Sequence, residues 1–201
     1  MKKLPLSFYD RNDVVQIARD LLGKIIVTNF DGEITSAKIV ETEAYIGITD
    51  KASHAYGHRR TARNEHMYSG PGTAYVYICY GTHQMFNIVS NKKDIPDAVL
   101  IRAVEPIKGI DIMGKRTGKK ITDKTITRGP GNVAKALGIY KYHSGLFLLD
   151  KEIYLLDDGK IMADDRIGVS KRIGVESAGD DSLLPFRFYI KGNQYVSGKR
   201  N

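Results

Sequence analysis

The sequence predicts a single domain of the α+β (mixed α/β) class, built on a curved, mostly antiparallel β-sheet with flanking helices. The 201 residues fit one domain with a sizeable core, so residues 1–201 are treated as one unit. Short segments rich in β-branched and aromatic residues outnumber the segments with helical spacing. No internal repeat, low-complexity tract or linker divides the chain.

Two short helices are predicted. In residues 12–22 the apolar residues recur at helical spacing, Asn12 can cap the segment, and Gly23 can end it. Residues 132–137 predict a second helix directly after Gly129-Pro130-Gly131. These glycines let backbone N–H groups and the helix N-terminus face an anion, although a simple turn explains them equally well.

The strands are predicted from their composition and from the turns between them. Asp31-Gly32 is a two-residue hairpin signal, so the strand after it returns antiparallel to the strand before it. That returning strand ends at Glu43, a common position for a functional side chain. The predicted strands are 24–30, 34–43, 73–80, 86–90 and 98–104, with shorter ones near 145–149, 153–156, 172–175 and 186–190.

The net charge of +8 favours a polyanion as partner, nucleic acid first, although a merely soluble basic protein has the same balance. Residues 47–71 form a long polar segment, and a loop of this length in a compact domain is usually functional or disordered. Residues 114–124 are predicted to be a basic loop. The side chains that can contact phosphates are Arg59, Arg60, Arg63, Lys115, Arg116, Lys119 and Lys120.

Other functional classes are not favoured by this sequence. No apolar run approaches the ~20 residues that span a bilayer, and the N-terminus lacks the apolar region of a signal peptide, so no membrane partner is expected. Cys79 is the single cysteine, which suits a reducing cytosol. The five histidines form no His-Glu-x-x-His pair, and a metal site is not expected.

The chemistry-bearing residues combine carboxylates with aromatic rings. Glu41 and Glu43 are two apart on one strand and therefore face the same side. A carboxylate against apolar rings is tuned as a proton acceptor, whereas an exposed strand face would leave both without a function. Nearby segments carry His54 and several tyrosines, although tyrosine is also common in ordinary strands. On a basic protein, the flat ring that such walls would hold is a nucleobase.

Taken together, these segments resemble the alkyladenine (3-methyladenine) DNA glycosylase family, whose members occur in mammals and many bacteria. The resemblance runs from about residue 6 to residue 197. The matching stretches are 18–24, 40–45, His54, 63–64, Met67, 71–73, 75–78, 80–81, Asn87, 100–106, 129–131 and 185–189.

The resemblance implies a function and a set of roles. The enzyme would flip alkylated or damaged purines out of duplex DNA and hydrolyse the N-glycosidic bond with water, which starts base excision repair. Glu43 would be the general base, and Tyr80 the wedge that fills the gap in the duplex. The base pocket would be lined by Tyr45, His54, Tyr77 and Asn87. The further DNA contacts would be Arg102, Met67, Arg59, Arg63 and Gly131.

The family uses no metal and no cofactor, and we expect a monomer that acts on damaged double-stranded DNA in a bacterial cytosol or nucleoid. Asn132 stands where the family often has Lys, and Gln84 and Met85 replace an aromatic residue and a cysteine. These departures leave open which lesions are preferred, from 3-methyladenine and 7-methylguanine to hypoxanthine and ethenoadenine. Two other functions stay open: a non-catalytic binder of distorted DNA, and a hydrolase acting on nucleosides or RNA.

Overall fold

A computed structural model describes residues 1–198 and shows an α+β architecture, which confirms the predicted fold class. One antiparallel sheet of nine strands runs through the described residues. The strands are β1 (Lys2–Lys3), β2 (Ile25–Phe30), β3 (Glu33–Tyr45), β4 (Ala74–Cys79), β5 (His83–Ser90), β6 (Asp97–Lys108), β7 (Ile153–Asp157), β8 (Ile167–Ser170) and β9 (Arg187–Ile190). The helices are α1 (Leu6–Tyr9), α2 (Val14–Asp20), α3 (Ile110–Thr117) and α4 (Pro130–Leu137), with short 3-10 turns between elements.

The long strand β3 organises the sheet. The strand order is β1-β7-β2-β3-β6-β5-β4, and β9 pairs with β3 and with β8. The first half of β3 pairs with β2 across the predicted Asp31-Gly32 turn, and Glu41 to Glu43 pair with β9. From Ser36 to Tyr45, β3 also pairs with β6. The end of β3 therefore lies between two strands, β6 and β9, and its side chains there are enclosed.

Three irregularities interrupt the pairing of β3 with β6, and the two in the second half of β3 are opposed. Ile39 pairs with Val104 and Glu41 with Ala103, so Val40 is an extra residue on β3. Thr42 then pairs with Ile101, so the extra residue on β6 is Arg102. Bulges of this kind turn side chains away from the regular alternation. Here they bring the Arg102 guanidinium onto the face that carries Glu41 and Glu43.

The helices pack on the sheet and on one another. Thr42 Oγ1 on β3 donates to the Ala18 carbonyl of α2 at 2.8 Å. Helix α4 packs against β5, β6 and α3, and its buried residues join the main apolar core. Helix α2 is capped by Asp13, whose side chain accepts from the Gln16 N–H, so the predicted cap at Asn12 is wrong by one residue. No helix in residues 1–198 is long and apolar enough to cross a membrane.

Several predicted elements differ from the structure. The basic segment 114–124 is not a loop throughout, because it begins inside α3, which left-handed Gly109 and Gly118 bound at its two ends. Residues 145–149 form only an isolated bridge between Thr73 and Phe147. Residues 172–175 are not a strand, and the strand of this region is β8. The other predicted strands are present with shifted ends, β6 reaching Lys108.

Candidate functional site

A cavity of about 590 Å³ opens where β3, β4, β5 and β6 meet two loops. One loop belongs to the predicted functional segment 47–71, and the other follows β8. The lining residues are Tyr45, Lys51, Ala52, Ser53, His54, Tyr56, Arg59, Arg63, Met67, Tyr75, Tyr77, Cys79, Tyr80, Met85, Asn87, Ala98, Leu100, Arg102, Pro130, Ile173, Gly174, Val175 and Ser177. Most residues predicted as functional are thus in one place.

Glu43 lies directly beneath the floor of this cavity, and its side chain is 0% exposed. Its Oε2 accepts a hydrogen bond from the Tyr45 hydroxyl at 2.8 Å and lies 3.2 Å from Arg102 Nη1. Its Oε1 accepts from the backbone N–H of Ile173 at 2.8 Å. The carboxylate itself is not among the lining residues, but the three residues that contact it are. Glu43 is therefore separated from the cavity by a single layer of side chains.

Arg102 lines the cavity, and its expected contact with the DNA backbone or the pocket edge stays a prediction. Its side chain is only 8% exposed, and it contacts both Glu43 and Glu41. It is therefore a floor residue paired with carboxylates, and its burial leaves little of the guanidinium for a phosphate on the surface. Sequence reasoning missed this because Arg102 is the extra residue of a bulge.

Glu41 is fully buried and serves as the anchor of this floor. Its Oε1 accepts from Arg102 Nε at 3.1 Å and from Arg187 Nε at 2.7 Å. The N–H and hydroxyl of Ser197 also donate to Glu41, at 2.7 and 2.8 Å. Two carboxylates and two guanidinium groups thus balance in charge, which offsets the cost of their burial. An exposed strand face is excluded for both glutamates.

Aromatic rings form one wall of the cavity. The ring centroids of His54 and Tyr77 are 4.5 Å apart at an interplanar angle of 74°, and those of Tyr75 and Tyr77 are 5.5 Å apart. His54 Nδ1 shares a 2.8 Å hydrogen bond with the Tyr75 hydroxyl. Burial, then the charges of Arg63 and Arg59, lowers the pKa of His54 to about 4, so its ring is neutral at pH 7. Burial also raises the pKa of Tyr77 to about 12, and its hydroxyl stays protonated.

The segment carrying His54 is held in shape by a buried asparagine. Asn64 Nδ2 donates to the backbone carbonyls of His54 at 3.0 Å and Arg59 at 2.8 Å. Its Oδ1 accepts from the Thr61 N–H at 2.7 Å. Asn64 thereby closes the irregular loop on itself, with its pocket histidine facing the cavity. It belongs to the stretch 63–64 that carried the resemblance, but no role was assigned to it.

Asn87 and Met67 line the inner part of the cavity. Asn87 Nδ2 donates to the Tyr75 and Met85 carbonyls, both at 3.2 Å, which fixes its amide group on the strand pair. Met67 is 2% exposed and packs in a small apolar cluster with Tyr75. Met67 thus lines the cavity from beneath the tyrosines, and its expected contact with DNA stays a prediction.

Tyr80 is the most exposed aromatic residue in the described chain, at 88%. It lies at the tip of the hairpin between β4 and β5, where it and Gly81 both have positive φ, 49° and 72°. A left-handed conformation is uncommon for a tyrosine and costs free energy. The hairpin thus projects an aromatic ring at the cavity mouth in a turn that glycine would satisfy more easily.

The basic side chains differ in their freedom to meet a phosphate. Arg59 and Arg63 are exposed and line the mouth, and Arg63 lies 5.5 Å from the Tyr77 ring centroid. Arg60 is instead engaged with Glu65 and Asp94. Further from the mouth, Arg116 pairs with Glu33, Lys119 donates to Thr125, and Lys124 donates to Tyr195.

Gly131 lies in the first turn of α4, beside the start of β5. A Cβ atom at Gly131 would lie 2.9 Å from His83 Nδ1, so this glycine permits a close approach of helix and hairpin. Its neighbour Pro130 lines the cavity. Within residues 1–198, no group of three or more His, Cys, Asp or Glu side chains is placed to hold a metal ion.

Comparison with known proteins relates this chain to DNA glycosylases. The model of a family described as methylpurine-DNA glycosylase matches residues 7–194. A protein of Clostridium novyi is 47% identical over 206 residues, which are 99% of this chain and 100% of that protein. A protein of Clostridium perfringens is 45% identical, over 98% of this chain and 100% of that protein. A protein of Chlamydia felis is 44% identical, over 93% of this chain and 95% of that protein. All three carry 3-methyladenine DNA glycosylase as a provisional name.

A family match over most of the chain and close relatives of nearly equal length agree with one another. The chain therefore belongs to the methylpurine-DNA glycosylase family, and its enzyme class is that of the DNA glycosylases, the hydrolases of N-glycosyl bonds that act in DNA base excision repair.

Proposed function

We propose that this glycosylase flips alkylated purines, 3-methyladenine and 7-methylguanine foremost, out of duplex DNA and hydrolyses their N-glycosidic bond with a water molecule activated by Glu43. The observation that carries this proposal is the position of Glu43, a buried carboxylate directly beneath the floor of a cavity with aromatic walls. A base inside a duplex is out of reach of such a floor, so the nucleotide has to leave the stack.

The cavity suits a flat purine in size and chemistry. Its volume of about 590 Å³ lies within the range of small-molecule sites. Tyr45, Tyr77 and His54 offer ring faces for stacking, and such faces favour a cationic base such as 3-methyladenine over a neutral one. Because His54 is neutral at pH 7, its ring does not repel that cation. Asn87, fixed beside Met85, is proposed to border the base and to exclude normal purines.

In the proposed reaction, water enters between Tyr45 and Arg102, the two lining residues that contact Oε2 of Glu43. The water oxygen bonds to C1′ of the sugar while the bond from C1′ to the purine nitrogen breaks. The electron pair of that bond leaves with the base, which departs neutral if it was a cation. The water proton passes to Glu43, whose negative charge also stabilises the positive charge that develops on the sugar.

The mouth of the cavity suits a duplex. Tyr80 is proposed to fill the gap that the flipped nucleotide leaves, and Arg59 and Arg63 to contact the adjacent phosphates. Gly131 is proposed to let the start of α4 approach the DNA backbone. One chain carries all of these residues, so we propose a monomer acting on the DNA of a bacterial cell. Neutral lesions such as hypoxanthine and ethenoadenine gain less from the aromatic walls.

The sequence also left open a non-catalytic binder of damaged DNA, which the family and the relatives do not favour. One experiment tests both functions. Duplex DNA with a single 3-methyladenine or 7-methylguanine is incubated with excess wild-type protein or with Glu43→Gln, and release of free base is followed in a single turnover.

We expect release by the wild type and a loss of about 100-fold or more in the variant, with binding of the damaged duplex retained. Glu43→Gln keeps the shape of the side chain and so separates chemistry from binding. Cleavage by the variant at the wild-type rate would remove the general-base role. Tight binding without release by either protein would establish the binder.

A further inference from the structure

We propose that Arg172, paired with Asp50, is a positioning residue of this glycosylase, which fixes the Tyr45 ring and the Ile173 N–H against the two oxygens of Glu43. The proposal rests on the proposed role of Glu43. Neither Arg172 nor Asp50 lines the cavity, and neither stood out in the sequence. Although both residues are buried behind the cavity wall, Arg172 adjoins the groups that hold Glu43.

The side chains of Arg172 and Asp50 are 0% and 1% exposed. Both terminal nitrogens of the guanidinium pair with the carboxylate: Nη1 with Oδ2, and Nη2 with Oδ1 at 2.9 Å. The same nitrogens donate to two backbone carbonyls, those of Ala44 and Asp181, each at 3.0 Å. One guanidinium thus ties together the end of β3, the loop from Asp50 and the loop that follows β8.

The buried ion pair of Arg172 and Asp50, here called the clamp, affects both oxygens of the Glu43 carboxylate. The Arg172 guanidinium lies 4.7 Å from the centroid of the Tyr45 ring, whose hydroxyl donates to Oε2 of Glu43. Arg172 is not a lining residue, so it supports the ring from the side turned away from the cavity. The residue directly after it, Ile173, donates its N–H to Oε1 of Glu43. Both oxygens of the carboxylate are therefore held by groups that Arg172 fixes in place.

The clamp also shapes the opposite wall. Asp50 Oδ1 accepts from the Ala52 N–H at 2.9 Å, and the Asp50 carbonyl accepts from the Ser53 N–H at 2.9 Å. This turn leads directly to His54. The aromatic wall, the carboxylate and the loop from Ile173 thus share one anchor, although the residues concerned are far apart in the chain.

The clamp is expected to contribute little to the free energy of folding. Removing two charges from water costs free energy, and apolar residues of similar volume often replace a buried ion pair without loss. Arg172 Nε is moreover buried without a hydrogen-bond partner. An arrangement that leaves a donor unsatisfied is better explained by the geometry it imposes on the cavity than by the stability it gives.

The test uses Asp50→Asn, which removes the negative charge, and Arg172→Lys, which keeps the positive charge but cannot reach four acceptors at once. Single-turnover cleavage of a duplex with one 7-methylguanine is measured over a range of protein concentrations. We expect the maximal rate constant to fall about 10- to 100-fold, because small displacements of a reacting group have effects of that size. The half-saturating concentration should change less than about threefold, since phosphate contacts dominate binding.

The control is Leu155→Ala, a core substitution on β7, which β2 separates from the site strand β3. All variants are assayed well below their melting temperatures, so that a purely structural role leaves the maximal rate unchanged. Arg172→Lys preserves a paired buried charge and provides the folded variant if Asp50→Asn does not fold. A maximal rate within threefold of wild type in the folded clamp variants, or an equal loss in Leu155→Ala, would overturn the proposal.

Glu43→Gln in the same assay separates this inference from the proposed function. An inactive Glu43→Gln together with a fully active Arg172→Lys would remove only the positioning role. A fully active Glu43→Gln would remove the general-base role on which the inference depends, and the inference would fall with it.

Discussion

The hydroxyl of Tyr45 donates a 2.8 Å hydrogen bond to Oε2 of Glu43, two residues earlier on the same strand. Burial, then the charge of Glu43, raises the pKa of Tyr45 well above its usual range, so this hydroxyl remains a donor at neutral pH. Tyr45→Phe removes the donor and keeps the ring. We expect the maximal cleavage rate to fall about tenfold with damaged-duplex binding unchanged, measured in single turnovers, because one bond to the carboxylate is lost. A weakened binding constant would instead assign the hydroxyl to base recognition.

Tyr80 is highly exposed and lies in a strained turn. Its substitution by glycine should therefore affect stability and DNA binding in opposite directions. Tyr80→Gly should leave the melting temperature unchanged or slightly raised, because glycine adopts positive φ without the cost of about 1 kcal/mol. Binding of damaged duplex should weaken, since the ring proposed to fill the gap is gone. Thermal unfolding and a binding titration measure the two effects, with Tyr142→Gly as a control at another exposed tyrosine. Unchanged binding by Tyr80→Gly would argue against the wedge.

The buried His54 predicts a dependence of stability on pH. Its pKa is about 4 in the folded protein and about 6.5 in an unfolded chain, so the unfolded state takes up the proton more readily. The free energy of unfolding should therefore fall as the pH drops below 6.5, by about 3 kcal/mol near pH 4 from this group. Urea unfolding at pH 7 and pH 4.5 measures the difference.

His54→Gln should flatten this dependence, whereas His58→Gln, an exposed residue of the same loop, should not. Equal pH dependence in wild type and His54→Gln would show that folding does not lower the pKa of His54, and the ring would then not be as desolvated as its position in the cavity wall implies.

The arginines at the mouth predict a salt dependence that differs between neighbours. Arg59→Gln and Arg63→Gln should each reduce the slope of log binding constant against log salt concentration by about 1, as expected for one lost phosphate contact. Arg60→Gln is the matched control, because its guanidinium already pairs with Glu65 and Asp94. Binding measured between 50 and 200 mM salt, about the range over which such contacts are screened, tests this. Equal slopes in all three variants would place the phosphates elsewhere.

Local signals allowed much of the fold to be predicted. The Asp31-Gly32 turn fixed the pairing of β2 with β3, and the strand that follows brought Glu43 to the cavity. Helix α3 was missed because Gly114 interrupts its pattern, while the structure buries that glycine against the segment after the helix. The prediction of a strand over 172–175 was wrong because those residues form the turn that presents Ile173 to Glu43.

The floor of the site was harder to predict, since its contacts join distant segments. Arg172 meets Asp50 across 122 positions, and Arg187 meets Glu41 across 146. No periodicity links such residues, and Arg102 faces the glutamates only because a bulge breaks the regular alternation of its strand. The pocket residues were identified by resemblance, whereas their buried partners needed coordinates.

The hydrogen bonds from Ser197 to Glu41 determine when the floor beneath the cavity can form during folding. The two residues are 156 positions apart, so Glu41 leaves the ribosome long before the groups that satisfy it are synthesised. Until Ser197 is in place, the Glu41 carboxylate lacks two of its hydrogen-bond donors, and its burial is unfavourable. The buried floor beneath the cavity therefore forms only once the segment that carries Ser197 has packed against β3.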